Sequence, residues 1–397
     1  MMLESNLLGK IEYLVKHNKI VVLRSCNSSW QQSLVDKLSI GRTVINLGDP
    51  MVRERAMWQP EAFIKLYDDT RFVLKNIQFV PRLLEVLCSD VVSYHCIAVM
   101  SQAYYIMEEY SELKGMVVVD LPVSLREEYL PFLPVTEQIN ALRQTDMDAE
   151  EVFSNIFNGS LLDDATLSQQ EREAFYGAYV QNFLQHDIKM ATPVSDEMKF
   201  YRFVCNVAAN VGNVLNYALL GNTVDVSSPT AKLWMSYLKG AGIVTLLYPI
   251  DDVNLKRVAK APKIYFNDTG LASYLLRLQS PFEIAGSAFA DGLLENWVVL
   301  RLRNGYLQNG VDVKLSYFKD SNAKEINLLL HYNDCVYPID IKKDTELSIK
   351  KQLKKFKLIS NIENDAVTKI GNGCVISICR EVKQLDEKLW LIPVGVL

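Results

Sequence analysis

Asp340 and Lys342, in the run YPIDIKK, have residue types and spacing that allow shared chemistry. Alternation along a strand puts both on one face, where a carboxylate can hold a cation and an ammonium can stand beside the water that the cation activates. The same spacing also describes a surface ion pair, which stabilises little. A second stretch, VVLRSCNSSWQQSLVDKL (Val21–Leu38), reads as strand, polar turn and helix. In α/β proteins, nucleotide phosphates often sit at such a turn, against the helix N-terminus. This turn contains no glycine and the helix opens without a lysine. It is therefore either a phosphate loop that has lost its chemistry or a plain connection capped by Asn27 or Ser28.

The elements that position these residues follow from hydrophobic pattern. KIVVLRS, TVINLGD, TRFVLKN, HCIAVMS and GMVVVDL are short apolar, β-branched runs separated by helical patterns such as PEAFIKLYDD and VPRLLEVLCSD. Continuous apolar strands alternating with helices predict a mainly parallel sheet covered on both faces, over residues 1–130. Residues 131–192 are polar, acidic and helical, and predict a lid or linker of amphipathic helices. From Ser195 come DEMKFYRFVCNVAANVG, LNYALLGNTV and SSPTAKLWMSYLKGAG; the third has an N-cap serine, a proline in its first turn and glycines at its end. Two strand-like runs around a polar loop follow, within IVTLLYPIDDVNLKRVAKAPKIYF. Three helices and a hairpin over residues 193–262 are the plan of a winged helix-turn-helix. Leu233, Trp234, Tyr237 and Leu238 then fall at core spacing on the third helix. Residues 263–397 predict an α/β domain with a mixed sheet.

The 397 residues carry a net charge of -5, which excludes a globally basic nucleic-acid binder and leaves only local patches. The seven cysteines form no CxxC pair and the four histidines no zinc spacing. This pattern fits reduced thiols in the cytoplasm and no metal site. The N-terminal segment is amphipathic rather than a signal sequence, and no apolar run approaches the ~20 residues that span a bilayer. The expected place is therefore the cytoplasm, away from the membrane.

Four segments carry a family resemblance: APKIYFNDTGLASYLL (Ala261–Leu276), GLLENWVVLRL (Gly292–Leu302), the pair YFKDSNAKEINLLL and YPIDIKK, and YGAYVQNFLQHDI. Together they resemble a bacterial and archaeal family of AAA-type ATPases with a P-loop domain, a winged helix and a C-terminal domain related to restriction-type nucleases. The resemblance runs over nearly the whole chain. It implies a P-loop-type parallel-sheet domain (1–130), a helical lid (131–192), a winged helix-turn-helix (193–262) and a C-terminal α/β restriction-nuclease-like domain (263–397).

The resemblance also shows what has changed. In the family, a GxxxxGK[ST] loop wraps the phosphates. Here Ser25 and Trp30 replace the two glycines, Gln31 the lysine, and Gln32 the residue that holds magnesium. Gln31 carries no charge, and charge-assisted bonds are about twice as strong as neutral ones. In TRFVLKNIQFVP, Lys75 and Asn76 stand where the family's acidic pair anchors magnesium and activates water. Met116 replaces an arginine. In the nuclease-like domain, the two acids and the lysine of the family become Asn327, Asp340 and Lys342, while Glu295 matches the helix acid. Glu295 and Glu325, the latter one strand repeat from Asn327, are expected to compensate in part for the lost charge.

The expected function is that of a catalytically degenerate family member, acting by binding DNA or a protein partner. No cofactor is expected, and ATP with magnesium is the ligand only if the altered site still binds. The alternatives are an ATP-holding regulator and a metal-dependent nuclease at the C-terminal domain. For DNA, the recognition helix offers Thr230, Lys232 and Lys239, and the wing offers Lys256, Arg257 and Lys260. A third basic run comprises Lys342, Lys343, Lys350, Lys351, Lys354, Lys355 and Lys357. Charge without interleaved aromatics suits phosphate contacts better than base stacking.

Overall fold

The computed structural model describes residues 2–25, 28–67, 71–89, 95–101, 110, 112–123, 133–139, 145–162, 167–184, 196–250, 261–320, 324–343, 349–357 and 369–397. The first five apolar runs form strands β1 (Ile20–Ser25), β2 (Thr43–Asn46), β3 (Phe72–Lys75), β4 (Cys96–Ser101) and β5 (Met116–Asp120). They make one parallel sheet in the order β2-β3-β4-β1-β5. Period-two alternation divides their side chains between two cores. Ile20, Val22, Phe72, Leu74, Cys96 and Ala98 face α3 (Pro50–Trp58), α4 (Pro60–Lys65) and α5 (Leu83–Cys88). Val21, Leu23, Val73, Ile97, Val99 and Val119 face α1 (Met2–His17) and α2 (Ser28–Leu38). Both faces of the sheet are thus covered, as continuous apolar strands require.

A third core runs from Val123 to Leu397. The helices of the segment expected as a lid or linker pack in it: α6 (Ala149–Asn158) contributes Val152, Phe153, Ile156 and Phe157, and α7 (Gln169–Asn182) contributes Tyr176 and Val180. Four apolar residues at helical spacing make α6 a core helix. Helices α8 (Glu197–Ala209), α9 (Tyr217–Asn222) and α10 (Ser228–Gly240) follow, then an antiparallel pair, β6 (Val244–Leu247) with β7 (Lys263–Phe266). β7 is hydrogen-bonded to β6, so the expected boundary between 262 and 263 falls inside the hairpin. On α10, Trp234 and Leu238 are buried with Met235, but Leu233 is 50% exposed, contrary to its core spacing. Leu233 lies on the same outward face as exposed Lys232.

Helices α11 (Thr269–Leu275), α12 (Pro281–Gly286) and α13 (Ala290–Gln308) lead into the last sheet, and α13 runs buried through the core. That sheet contains β8 (Lys314–Lys319), β9 (Glu325–Tyr332), β10 (Cys335–Lys342), β11 (Lys369–Ile370), β12 (Gly373–Ser377), β13 (Lys383–Asp386) and β14 (Leu389–Pro393). Its order is β13-β14-β12-β10-β9-β8, with β11 beside β10. β10, β12 and β14 are parallel and β8, β9 and β13 run against their neighbours, the mixed sheet expected. Helix α14 (Ile349–Phe356) also lies on this sheet: its Leu353 and Phe356 pack against Val375, Leu389 and Leu391.

Candidate functional site

Two groups of side chains were expected to mark sites of chemistry. The first lies at the strand ends of the parallel sheet. The connection after β1 leads to β2 at one edge, and that after β4 leads to β5 at the other. From the neighbouring strands β1 and β4 the connections therefore run in opposite directions, the arrangement beside which α/β sheets bind ligands. Strand β1 ends at Ser25 and α2 begins at Ser28, so only residues 26 and 27 separate them. Trp30 belongs to the first turn of α2; the side chains of Ser25 and Trp30, and residue Asn27, lie outside the described residues.

Gln31 is 4% exposed and its amide donates back to the Leu23 carbonyl at 3.4 Å. Gln32 donates to Asp36 Oδ1, and Lys75 Nζ lies 3.6 Å from the same oxygen. Asn76 adopts a left-handed φ of 62° and donates to Asn46 Oδ1 at 2.8 Å. Gln31 and Gln32, with Lys75 and Asn76, thus come together around the end of the sheet, satisfied by protein partners. Met116 does not join them: it pairs with Ile20 at the opposite end of the strands and packs in the apolar core. A neighbouring network went unnoticed in the sequence. Arg24 Nε donates to Asp120 Oδ1 at 2.7 Å, and Arg303 of α13 reaches Asp120 Oδ2 at 3.3 Å, tying the sheet to the helix of the third core.

The second group is built on four strands and two helices. Lys263 and Tyr265 alternate on β7, Glu325 and Asn327 on β9, and Asp340 and Lys342 on β10. Glu295 projects from α13 and Lys355 from α14. Lys263 is 2% exposed; its Nζ donates to Glu295 Oε1 and, at 2.6 Å, to Glu325 Oε1. Tyr265 OH donates to Glu295 Oε1 at 2.5 Å, Asn327 Nδ2 to Glu295 Oε2 at 2.6 Å, and Ile341 N to Asn327 Oδ1 at 3.1 Å. Lys319 completes the group, 3.1 Å from Glu325 Oε2.

Burial pushes the Glu295 carboxyl upward, against the pull of Lys263. Burial also acts to raise Glu325, but Lys263 and Lys319 outweigh it and hold that carboxyl low. Burial would lower the Lys263 ammonium; the two glutamates overcome this and raise it. A cavity of about 410 Å³ opens beside the group, between Lys263, Glu295, Glu325, Lys319 and the backbone of Gly212 and Gly292.

Asp340 is fully buried, so Asp340–Lys342 is no surface ion pair. Its Oδ1 accepts from Lys355 and its Oδ2 lies 3.7 Å from Lys342 Nζ. Lys355 therefore turns inward, leaving the row of lysines expected to meet phosphate. Lys355 on Asp340 Oδ1 and Lys263 between the two glutamates stand where a magnesium ion would need open carboxylate oxygens, while Asp340 Oδ2 has no hydrogen-bond partner among the described residues. Among the described residues, no three His, Cys, Asp or Glu side chains group as metal ligands. This donor set does not fit a magnesium ion without displacing the lysines. Among the described residues, the Gln31 amide and the Lys75 ammonium have protein partners in the Leu23 carbonyl and Asp36.

For nucleic acid, Lys232 is exposed on α10, Lys239 is half-buried, and Thr230 bonds the N-cap Ser227 at 2.8 Å. Lys350, Lys351, Lys354 and Lys357 are exposed along α14. Lys256, Arg257 and Lys260 lie outside the described residues.

The segment NDTGLA is explained by packing. Asp268 caps α11 through Leu271 N at 2.6 Å and accepts from Tyr176 OH at 2.9 Å, Ser160 N at 2.6 Å and Leu161 N at 3.0 Å. Tyr176, from YGAYVQNFLQHDI, is its partner across the core, so two of the resembling segments meet at one buried carboxylate.

Comparison with known proteins places two domains of unknown function on the chain: DUF8612 over residues 163–281 and DUF4143 over residues 290–397. An uncharacterized protein of Mycobacterium bovis, Mb2031c, is 24% identical over 187 residues, covering 47% of this chain and 42% of the relative. Rv2008c of Mycobacterium tuberculosis, also uncharacterized, matches with the same identity and coverage. The chain thus spans less than half the length of these curated relatives. Among solved structures, the Walker-type ATPase PABY2304 of Pyrococcus abyssi aligns at TM-score 0.40 and 10% identity, over 68% of this chain and 94% of that one. The Bacillus subtilis DNA clamp loader delta protein YqeN aligns at TM-score 0.23 and 10% identity, over 59% and 88%.

Proposed function

We propose that this chain acts by binding DNA and does not hydrolyse nucleotide. It is, on this reading, a degenerate relative of the AAA-type ATPases with a winged helix and a nuclease-like end. The observation that carries the reading is Asp36, which engages both Gln32 and Lys75. The resemblance assigns magnesium-handling chemistry to those two positions; here one carboxylate joins them directly. The nuclease-like end follows the same pattern, with Lys263, Lys342 and Lys355 on its carboxylates. What remains for function is surface: the exposed lysines of α14, and α10 read as the recognition helix of a winged helix-turn-helix.

Isothermal titration with ATP and magnesium tests the first half. No heat is expected; micromolar binding with turnover would overturn it, and binding without turnover would make the chain an ATP-holding regulator. A salt series of DNA binding tests the second half. Protein docking is the second reading, favoured by Leu219 and Leu233, 52% and 50% exposed on α9 and α10.

A further inference from the structure

A cavity of about 430 Å³ lies beyond the carboxyl ends of the parallel neighbours β10 and β12. It shares no lining residue with the cavity beside Lys263. Lys343 follows β10, and Ile378 and Arg380 follow β12; Met147, just before α6, Phe153 within α6, and Ala285 of α12 close the other side. Crevices outside the carboxyl ends of parallel strands are where α/β sheets receive ligands, and the volume suits a small molecule.

Two properties of the lining select the chemistry. Met147, Phe153, Ala285 and Ile378 make an apolar wall. Lys343 and Arg380 bring two cations with no carboxylate partner among the described residues: Lys343 Nζ donates to the Ala285 carbonyl at 3.3 Å, and the Arg380 side chain is exposed. The one acid in the lining, Asp148, is committed as the N-cap of α6, accepting from Glu151 N at 3.0 Å. Glu150 and Glu151 in the first turn offset the helix dipole, so the attraction for an anion rests on the two side chains.

We propose that this cavity binds a small organic anion with an apolar body, an aromatic carboxylate or phosphate monoester. The head group meets Lys343 and Arg380, and the body lies on Met147 and Phe153. An apolar wall beside two cations that have no carboxylate partner among the described residues rewards that combination and neither half alone.

Titration of the full chain with anilinonaphthalene sulfonate, an aromatic anion that fluoresces when shielded from water, tests the proposal. Saturable binding is expected. It weakens about tenfold or more in the K343Q/R380Q double variant, which removes two charge-assisted bonds. It is also lost in Ala285→Phe, which fills the cavity and keeps both cations. Displacement by naphthoate or by a nucleoside monophosphate identifies the preferred head group. Displacement by neither overturns the proposal. So does equal binding of neutral phenylnaphthylamine, or unchanged binding in both variants; the probe would then sit on exposed apolar residues such as Met51 and Trp58.

Discussion

Lys263 holds two carboxylates at once, Glu295 of α13 and Glu325 of β9, and so joins the hairpin to the central helix and the last sheet. Breaking one partner of a buried ion pair costs more than the pair contributes, because the remaining charge stays buried. Lys263→Met is therefore expected to destabilise the chain by about 3–5 kcal/mol, measured by urea unfolding at neutral pH. Without the ammonium, the two carboxylates resist ionisation. Protonation relieves them as pH falls, starting with Glu295, whose carboxyl burial already pushes up. The deficit should shrink towards acid; a deficit that stays constant with pH would show that Lys263 contributes packing alone.

Gly270 has no room for a side chain. A Cβ there would stand 2.1 Å from Tyr176 OH and 2.6 Å from the Asn158 carbonyl. Gly270→Ala should therefore cost about 1–3 kcal/mol by overpacking. Tyr176→Phe removes the nearer of the two atoms but also the hydrogen bond to Asp268. The double variant should then lose less stability than the sum of the two single variants. Additive losses would place the clash on the Asn158 backbone.

The five strands of the parallel sheet were legible because each is a short, largely β-branched apolar run, and two-faced burial demands that pattern. That Gln31 is neutral and Lys75 cationic was legible too, since it needs only residue identity. Where those side chains go was not: Gln31 turns back to Leu23, and Asp36 satisfies Lys75 from one helical turn beyond Gln32. Lys263 was hidden for a different reason. Its partners lie 32 and 62 residues away, and a lysine at the start of an apolar strand reads as a solvated end. Lys355 disappeared into a run of lysines, although it stands three residues after buried Gln352, on the same helix face. The lid expectation for 131–192 followed overall polarity; the apolar stripe of α6 outweighs it.

His331 Nε2 lies 2.6 Å from Ser316 Oγ, and burial holds the imidazole down at about 4, against an ordinary 6.5. Below 6.5 the unfolded chain takes up a proton that the folded chain refuses until about 4. Stability is therefore full above that upper value and falls through the window, by at most about 3 kcal/mol and less as the partly exposed ring is screened. Comparing wild type with His331→Gln over this range isolates the effect from titrating carboxylates. The stability gap between them should narrow towards acid. A gap independent of pH would mean that the ring is protonated normally.

The exposed lysines of α14 give DNA binding a quantitative signature. Each phosphate neutralised releases counterions and contributes a slope of about 0.9 in log affinity against log salt. Lys350, Lys351, Lys354 and Lys357 are exposed along this helix, while Lys355 is spent on Asp340. Replacing the four by glutamine should reduce the slope by up to about 3.6, read by fluorescence anisotropy on a labelled duplex. Lys355→Gln should leave the slope nearly unchanged and lower stability instead, because it strands the buried carboxylate of Asp340. Lys232→Gln on α10 should lower the slope by about 0.9 if that helix meets the backbone. A flat salt response in the wild type would remove DNA as the ligand and leave the exposed Leu219 and Leu233 as the contact surface for a protein.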